Sequence, residues 1–374
     1  GGSWGEQAIE PLAALIDASL VQRMDAGGRT VFSLLAIVRE YALERLEAHG
    51  SATDMRMAHP DYYLGLVRRI APRLRGSEQV EAVAELGLEV PNLRAAARHL
   101  VQEDRLDDAG DFAWTLLAYW WISGYFADVS LWMGELLDKG LPISPRTRAV
   151  ATFFPLWAGM WQRPSDQVVD GLGDAVRWFS ESGDELAAAM ALAARASTRM
   201  QFPDMDPALV RSELGTAIAT LHRLGDRWAE SLAEVPLGQL GILVGHIPEA
   251  LRHFDRAVEV AHAADDAFNR VVAGNNRARL RFLLGEHDAA EAEFLLTLTL
   301  SIGLHFVDGA TYGLEGMCAI AAVHGEAWRA GALSAVAATI RETTGIYDIA
   351  GFAVHLEPLE ALRPADPGNA APGD

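Results

Sequence analysis

Apolar and small residues recur at helical spacing along this chain, and over its second half the pattern returns with a period of 40 residues. Glycine sits at Gly245, Gly285 and Gly325. Five residues on come Ala250, Ala290 and Ala330, with Val210 in the preceding copy. Seven further on are Ala217, Ala257, Thr297 and Ala337. Upstream, a small residue returns at Thr198, Gly238, Ala278 and Cys318. Small side chains in a fixed register mark tight helix crossings, because a bulky one would push the axes apart beyond ~8–10 Å. Leu214, Phe254 and Phe294 supply the large partners, and Ser334 makes the fourth copy degenerate. Pro207 and Pro248 fall at or near first helical positions, where a missing N–H is harmless. This register predicts a solenoid of helical hairpins, each burying its apolar face only by stacking on its neighbours. Such arrays are mostly binding surfaces, so the expectation is an interaction module and not an enzyme.

The opening 50 residues have a different texture. Ile9, Leu12, Leu15 and Ile16 space out one helix, and residues 19–24 and 30–34 read as two strands about a turn at 26–28. A strong helix over 36–48 ends at Gly50. Helix, hairpin, helix is the back half of a winged helix. The expected organisation is therefore a partial winged helix at 1–50, a helical linker at 51–105, and a tetratricopeptide-like array at 106–345. A C-terminal segment, 346–374, follows, rich in Pro, Gly and Ala and expected to be disordered from 363. The early copies are less regular, since Ala175 precedes Ala217 by 42 residues. The fold class is all-α: a tetratricopeptide-like superhelix preceded by a partial winged-helix domain.

Charge narrows the partners. The formal net charge of −20 opposes tracking of a phosphate backbone, which needs clustered cations. On the hairpin only Arg23 and Arg29 are basic, against Glu6, Glu10, Asp17 and Asp25, so no direct nucleic-acid contact is expected. The uncharged run Phe112–Ala127 is too short to cross a bilayer, and a cytoplasmic location without membrane contact is expected. A lone cysteine, Cys318, excludes an internal disulfide. His253 and His262 share a helix at a spacing that suits no H-E-x-x-H site, and neither metal nor catalytic residues are expected. Asp265 and Asp266 sit at a helix start, where they favour the macrodipole.

Two groups of residues are candidates for binding. The first helix of each pair lines the concave face of such arrays, and there Arg195, Arg199, Gln239, Asn275 and Arg279 share one predicted face. Guanidinium forks suit a carboxylate or phosphate, so an anionic or peptide-like partner is expected. The alternative is that these arginines pair with acids inside the array. The second group is the aromatic set Trp114, Tyr119, Trp120, Trp121, Tyr125, Trp132, Trp157 and Trp161, which is either core or a hydrophobic pocket. Trp120 and Trp121 point ~100° apart on a helix, so one can pack while the other reaches a groove.

Several loose motifs arrive in one order. They are LIDASLV at 15–21, FSLLAIVREYALERL at 32–46, HPDYY at 59–63, PNLRAAA at 91–97, GLEGM at 313–317 and RAGALSAVA at 329–337. In this the chain resembles the C-terminal half of STAND-class signal-transduction ATPase regulators, including the large LuxR-type and antibiotic-pathway activators of actinobacteria. The resemblance implies a winged helix that packs on a nucleotide-binding domain, and a repeat array that receives the inducer or holds the protein off. It also implies a separate DNA-binding domain. No G-x-x-x-x-G-K-[ST] is present, and Lys139, the single lysine, lies in ELLDKG with no hydroxyl residue after it. No cofactor is therefore expected in this chain, with ATP or ADP confined to a nucleotide-binding domain of the parent. Leu35 stands where some relatives carry a diphosphate-sensing histidine. The partners implied are a protein, a peptide, a small effector or the parent's own domains. A freestanding tetratricopeptide scaffold is the rival reading, which an upstream P-loop domain in the gene would decide against.

Overall fold

A computed structural model describes residues 9–26, 29–49 and 52–344 of the chain. The expected turn at 26–28, the helix stop at Gly50 and the C-terminal segment from 346 lie largely or wholly outside those residues. At the N-terminus α1 (Ile9–Asp17) leads into an antiparallel hairpin of β1 (Val21–Ala26) and β2 (Arg29–Leu34), then α2 (Ala36–Ala48). The strands pair from Val21 opposite Leu34 to Ala26 opposite Arg29. The element order is the one expected of this region. Of its described apolar side chains Val21 is buried, whereas Ile9, Met24, Phe32, Leu35, Ile37 and Tyr41 are exposed.

An arm follows, made of α3 (Ala52–Ile70), a 3-10 turn at Ala71–Leu74, α4 (Gln79–Gly87) and α5 (Val90–Gln102). The aromatic-dense stretch forms α6 (Leu106–Thr115) and the short α7 (Leu117–Ile122). Then come α8 (Phe126–Asp138), α9 (Pro145–Gln162) and α10 (Asp166–Glu181). Four hairpins complete the array. They are α11 (Glu185–Arg199) with α12 (Pro207–Leu224), α13 (Arg227–Leu243) with α14 (Ile247–Ala263), α15 (Ala267–Leu283) with α16 (His287–Leu304), and α17 (Val307–Val323) with α18 (Ala327–Thr344).

The 40-residue register is visible in the helix starts. Arg227, Ala267 and Val307 open the first helices, and Pro207, Ile247, His287 and Ala327 the second. Gly245, Gly285 and Gly325 end the first helices at φ of 76°, 80° and 75°, a backbone region that strains side chains with a Cβ. The repeated small residues Thr198, Ala278 and Cys318 are fully buried, as are Val210, Ala250, Ala290, Ala330, Ala217 and Ala257. Asp184, Asp226 and Asp266 cap α11, α13 and α15, accepting from the backbone N–H groups of Ala187, Ala229 and Asn269.

The arm turns back onto the array. Arg75 Nη1 bonds Asp226 at 2.8 Å and its guanidinium lies 4.7 Å over Trp228. Gln79 Oε1 accepts from Phe268 N at 2.7 Å, and its Nε2 lies 3.3 Å from Asp266. Adjacent hairpin corners, the N-termini of α13 and α15, are thus held by one turn of the arm.

Candidate functional site

First helices face inward, and their inner side closes on a cavity of about 650 Å³. Trp121 from α7 with Trp157 and Trp161 from α9 form one wall. Ala193, Ala194 and Ser197 of α11 continue it, followed by Leu232, Pro236 and Gln239 of α13 and Val272, Asn275 and Asn276 of α15. Phe306, Asp308 and Tyr312 close the far side at α17, with Thr344 at the end of α18. Volume and mostly apolar lining match the usual small-molecule site, about 300–1,000 Å³ with a few placed polar groups.

Aromatic rings tie these walls together. Trp121 lies 4.6 Å from Trp157 and 5.2 Å from Phe268, and Phe268 is 5.0 Å from Phe306. The chain of rings crosses from α9 to the start of α17. The divergence of the tryptophan pair is as anticipated. Trp120 is buried, its indole N–H donating to Ala113 O at 3.1 Å, while Trp121 faces the cavity. Trp114, Tyr119 and Trp132 are core, whereas Trp157 and Trp161 are wall.

The five concave-face candidates divide. Gln239 and Asn275 line the cavity. Gln239 Nε2 donates to Asn276 Oδ1 at 3.0 Å. Asn275 accepts from Thr297 Oγ1 at 2.6 Å and donates to Gly309 O at 3.2 Å, bridging α15 to its neighbours. Arg195, Arg199 and Arg279 are not among the lining residues. Arg195 Nη2 meets Glu213 of α12 at 2.8 Å, and Arg199 Nε lies 3.4 Å from the same carboxylate. Arg279 is buried, and desolvation pushes its pKa down to about 10. Arg195 and Arg199 thus lie on the flank of α11 that packs on α12. Glu213 is one member of a column: Glu293 takes Arg277 at 2.6 Å and Arg281 at 3.2 Å, and in the middle copy His253 meets Glu234 at 2.7 Å. The internal-pairing alternative describes Arg195 and Arg199.

What the sequence did not single out is Asp308, the one charged side chain among the described lining residues. Burial pushes its pKa up, and the nearby positive charge of Arg341 pulls it part of the way back. Arg341 itself grips Glu315 through two bonds, at 2.6 and 2.9 Å. Among the described residues no cluster of three or more His, Cys, Asp or Glu could hold a metal ion, and no helix is long and apolar enough to cross a membrane.

With this geometry in hand, three comparisons bear on the chain. No family model matches it. It is 29% identical over 194 residues to proteins named as HTH-type transcriptional regulators from Mycobacterium bovis and from two strains of Mycobacterium tuberculosis. That match takes in 50% of this chain and 22% of theirs, so the chain corresponds to a limited part of those relatives. Among solved structures it is similar to a Rap protein complexed with competence and sporulation factor, with a TM-score of 0.51, 14% identity, and coverage of 83% of this chain and 87% of that one. A STAND protein with a tetratricopeptide-repeat sensor from Pyrococcus horikoshii aligns over 95% of this chain and 55% of its own, with a TM-score of 0.42 and 14% identity. The chain is a helical-repeat protein of tetratricopeptide-like architecture, similar over half its length to named transcriptional regulators.

Proposed function

We propose that this chain is the sensor half of a bacterial STAND-type transcriptional regulator, and that a small effector enters its concave cavity. The observation that carries the reading is the aromatic cavity itself, assembled from helices spanning α7 to α18. A scaffold that only gathers proteins has no need of a mostly apolar, ring-lined cavity on its concave side. The apolar side chains left exposed on α1, the hairpin and α2 support a regulator over a freestanding scaffold, since exposed apolar patches mark surfaces for other domains. In this reading the N-terminal unit is a partial winged helix that docks on the regulator's nucleotide-binding domain. This chain then performs no catalysis, holds no nucleotide and leaves DNA to another domain, all in a cytoplasmic protein. The LuxR-type and actinobacterial assignment belongs to the same reading. Ala193, half-buried at the cavity wall, gives the test. Ala193→Trp should fill the chamber, abolish retention of small molecules from a host metabolite extract, and leave the helical circular dichroism spectrum intact. Equal retention by both proteins, or none by either, would reject the cavity as an effector site.

A further inference from the structure

The cavity carries an electrostatic preference. Its lining includes the rings of Trp121, Phe126, Trp157, Trp161, Phe306 and Tyr312, and the face of such a ring carries negative charge that attracts a cation. Among the described lining residues no arginine or lysine is present, and the single charged group is the Asp308 carboxylate. Asp308 forms no ion pair or hydrogen bond with another described side chain; the neighbouring cation, Arg341, is engaged by Glu315. The amides are partly spent: one N–H of Gln239 goes to Asn276, one of Asn275 to Gly309 O, and one of Asn276 to Val272 O. Pro236, inside α13, withholds the backbone donor that would otherwise serve the Leu232 carbonyl on the same wall. Acceptors outweigh cationic donors throughout. An anionic ligand would enter with its charge desolvated and opposed, whereas a cation would find both a counter-charge and ring faces.

We propose that the cavity takes an organic cation, an ammonium group on an apolar body of aromatic width, with the ammonium at Asp308 and the body against Trp121, Trp157 and Trp161. The assignment rests on the reading of the cavity as a ligand site and replaces the anionic partner that the arginines suggested. A carboxylate held in an apolar wall, with its proton affinity raised by burial, is stabilised as the anion by an arriving ammonium. Ligand and Asp308 should therefore strengthen one another as pH rises through the titration of the carboxyl.

Three probes of one shape separate the possibilities: naphthylmethylammonium, naphthylmethanol and naphthoate, titrated calorimetrically into the whole chain at neutral pH. The ammonium should bind about ten-fold more tightly than the alcohol, a difference of roughly 1.4 kcal/mol, and naphthoate should bind most weakly. Asp308→Asn should bring the ammonium down to the level of the alcohol and leave the alcohol unchanged. Ala193→Trp should abolish binding of both. If the alcohol or naphthoate equals the ammonium, or if Asp308→Asn keeps the preference, the cation assignment fails while the cavity reading stands. Ammonium binding that survives Ala193→Trp places the probe elsewhere and overturns the assignment. If no probe binds at millimolar concentration, the assignment and the cavity reading fail together.

Discussion

Gly238 on α13 lies directly under the ring of Phe254 on α14, where an added Cβ would sit 2.4 Å from Cε1 of that ring. The register predicted this pairing of the smallest residue with the largest. Both helices are held at that separation by a fully buried ring that has nowhere to move. Between hairpins the same device recurs: Gly316 on α17 lies under Phe294 of α16, where an added Cβ would again sit at 2.4 Å.

Gly238→Ala sets two effects against each other. Helix propensity gains about 0.8–1.0 kcal/mol, and overpacking loses about 1–3 kcal/mol. Overpacking should win, with a net loss on thermal or urea unfolding. Gly215 on α12 is the control: it is exposed, and a Cβ there meets nothing within 4 Å. Gly215→Ala should raise stability by several tenths to 1 kcal/mol. Equal signs for the two variants would refute the tight crossing at 238.

Glu213 is 8% exposed and accepts from one arginine while lying beside a second. Removing one partner of a buried pair costs about 3–5 kcal/mol. Because Arg195 and Arg199 remain 23% and 33% exposed, the lower end of that range is expected for Glu213→Ala. Arg195→Ala with Arg199→Ala should also destabilise, and should not alter capture of a cavity ligand. A double variant of wild-type stability that loses ligand response would return the arginines to the binding face.

How far the sequence could be read follows from which distances matter. The hairpin register is local, and small residues at 40-residue spacing expose it directly. The cavity was half legible, because Trp121 stands out beside Trp120 and the walls come from the helices that such arrays turn inward. The arginine face was misplaced for a geometric reason. Positions one turn upstream and one residue downstream of the small residue straddle the cavity face and the boundary between paired helices: Gln239 and Asn275 line the cavity, whereas Arg195 and Arg199 reach Glu213. Asp308 gave no signal, since an acid in a first helical turn is ordinary macrodipole chemistry. Its burial and its neighbouring charge, Arg341 on α18, appear only once the helices are packed.

Asp266 combines a helix cap with complete burial. Desolvation raises its pKa from 3.8 to about 6 against the bonds from Asn269 and Gln79. Between those values the folded protein holds the proton more tightly than the unfolded chain. Stability from this group is therefore present at low pH and is lost as pH rises from about 4 through about 6, by at most about 3 kcal/mol. Asp266→Asn keeps an amide oxygen suited to the cap and carries no charge. Its stability relative to wild type should climb across that window and level off above it, as urea midpoints at successive pH values would show. A flat difference from pH 4 to 8 would mean that burial leaves the carboxyl unshifted.

Gln79 is the residue that ties the arm to that cap. Its side chain is 1% exposed, its Oε1 takes the Phe268 N–H at 2.7 Å, and its Nε2 donates to Leu74 O at 2.7 Å while facing Asp266. Gln79→Ala leaves a buried backbone N–H without its acceptor and a buried carboxyl without its donor, at about 1–3 kcal/mol for each group. Gln79→Glu presents a second carboxylate to Asp266 instead, and like charges in one buried site raise the affinity for a shared proton. At pH 8 the Glu variant should be the less stable of the two, and at pH 5 that order should narrow or reverse, because one proton relieves the repulsion. Amide exchange supplies the second measurement. In Gln79→Ala the Phe268 N–H should lose protection together with the amides of α4, while those of α17 and α18 keep theirs. Protection of Phe268 that persists in Gln79→Ala would show that the corner holds without the arm, and that Arg75 with Asp226 and Trp228 carries the attachment alone.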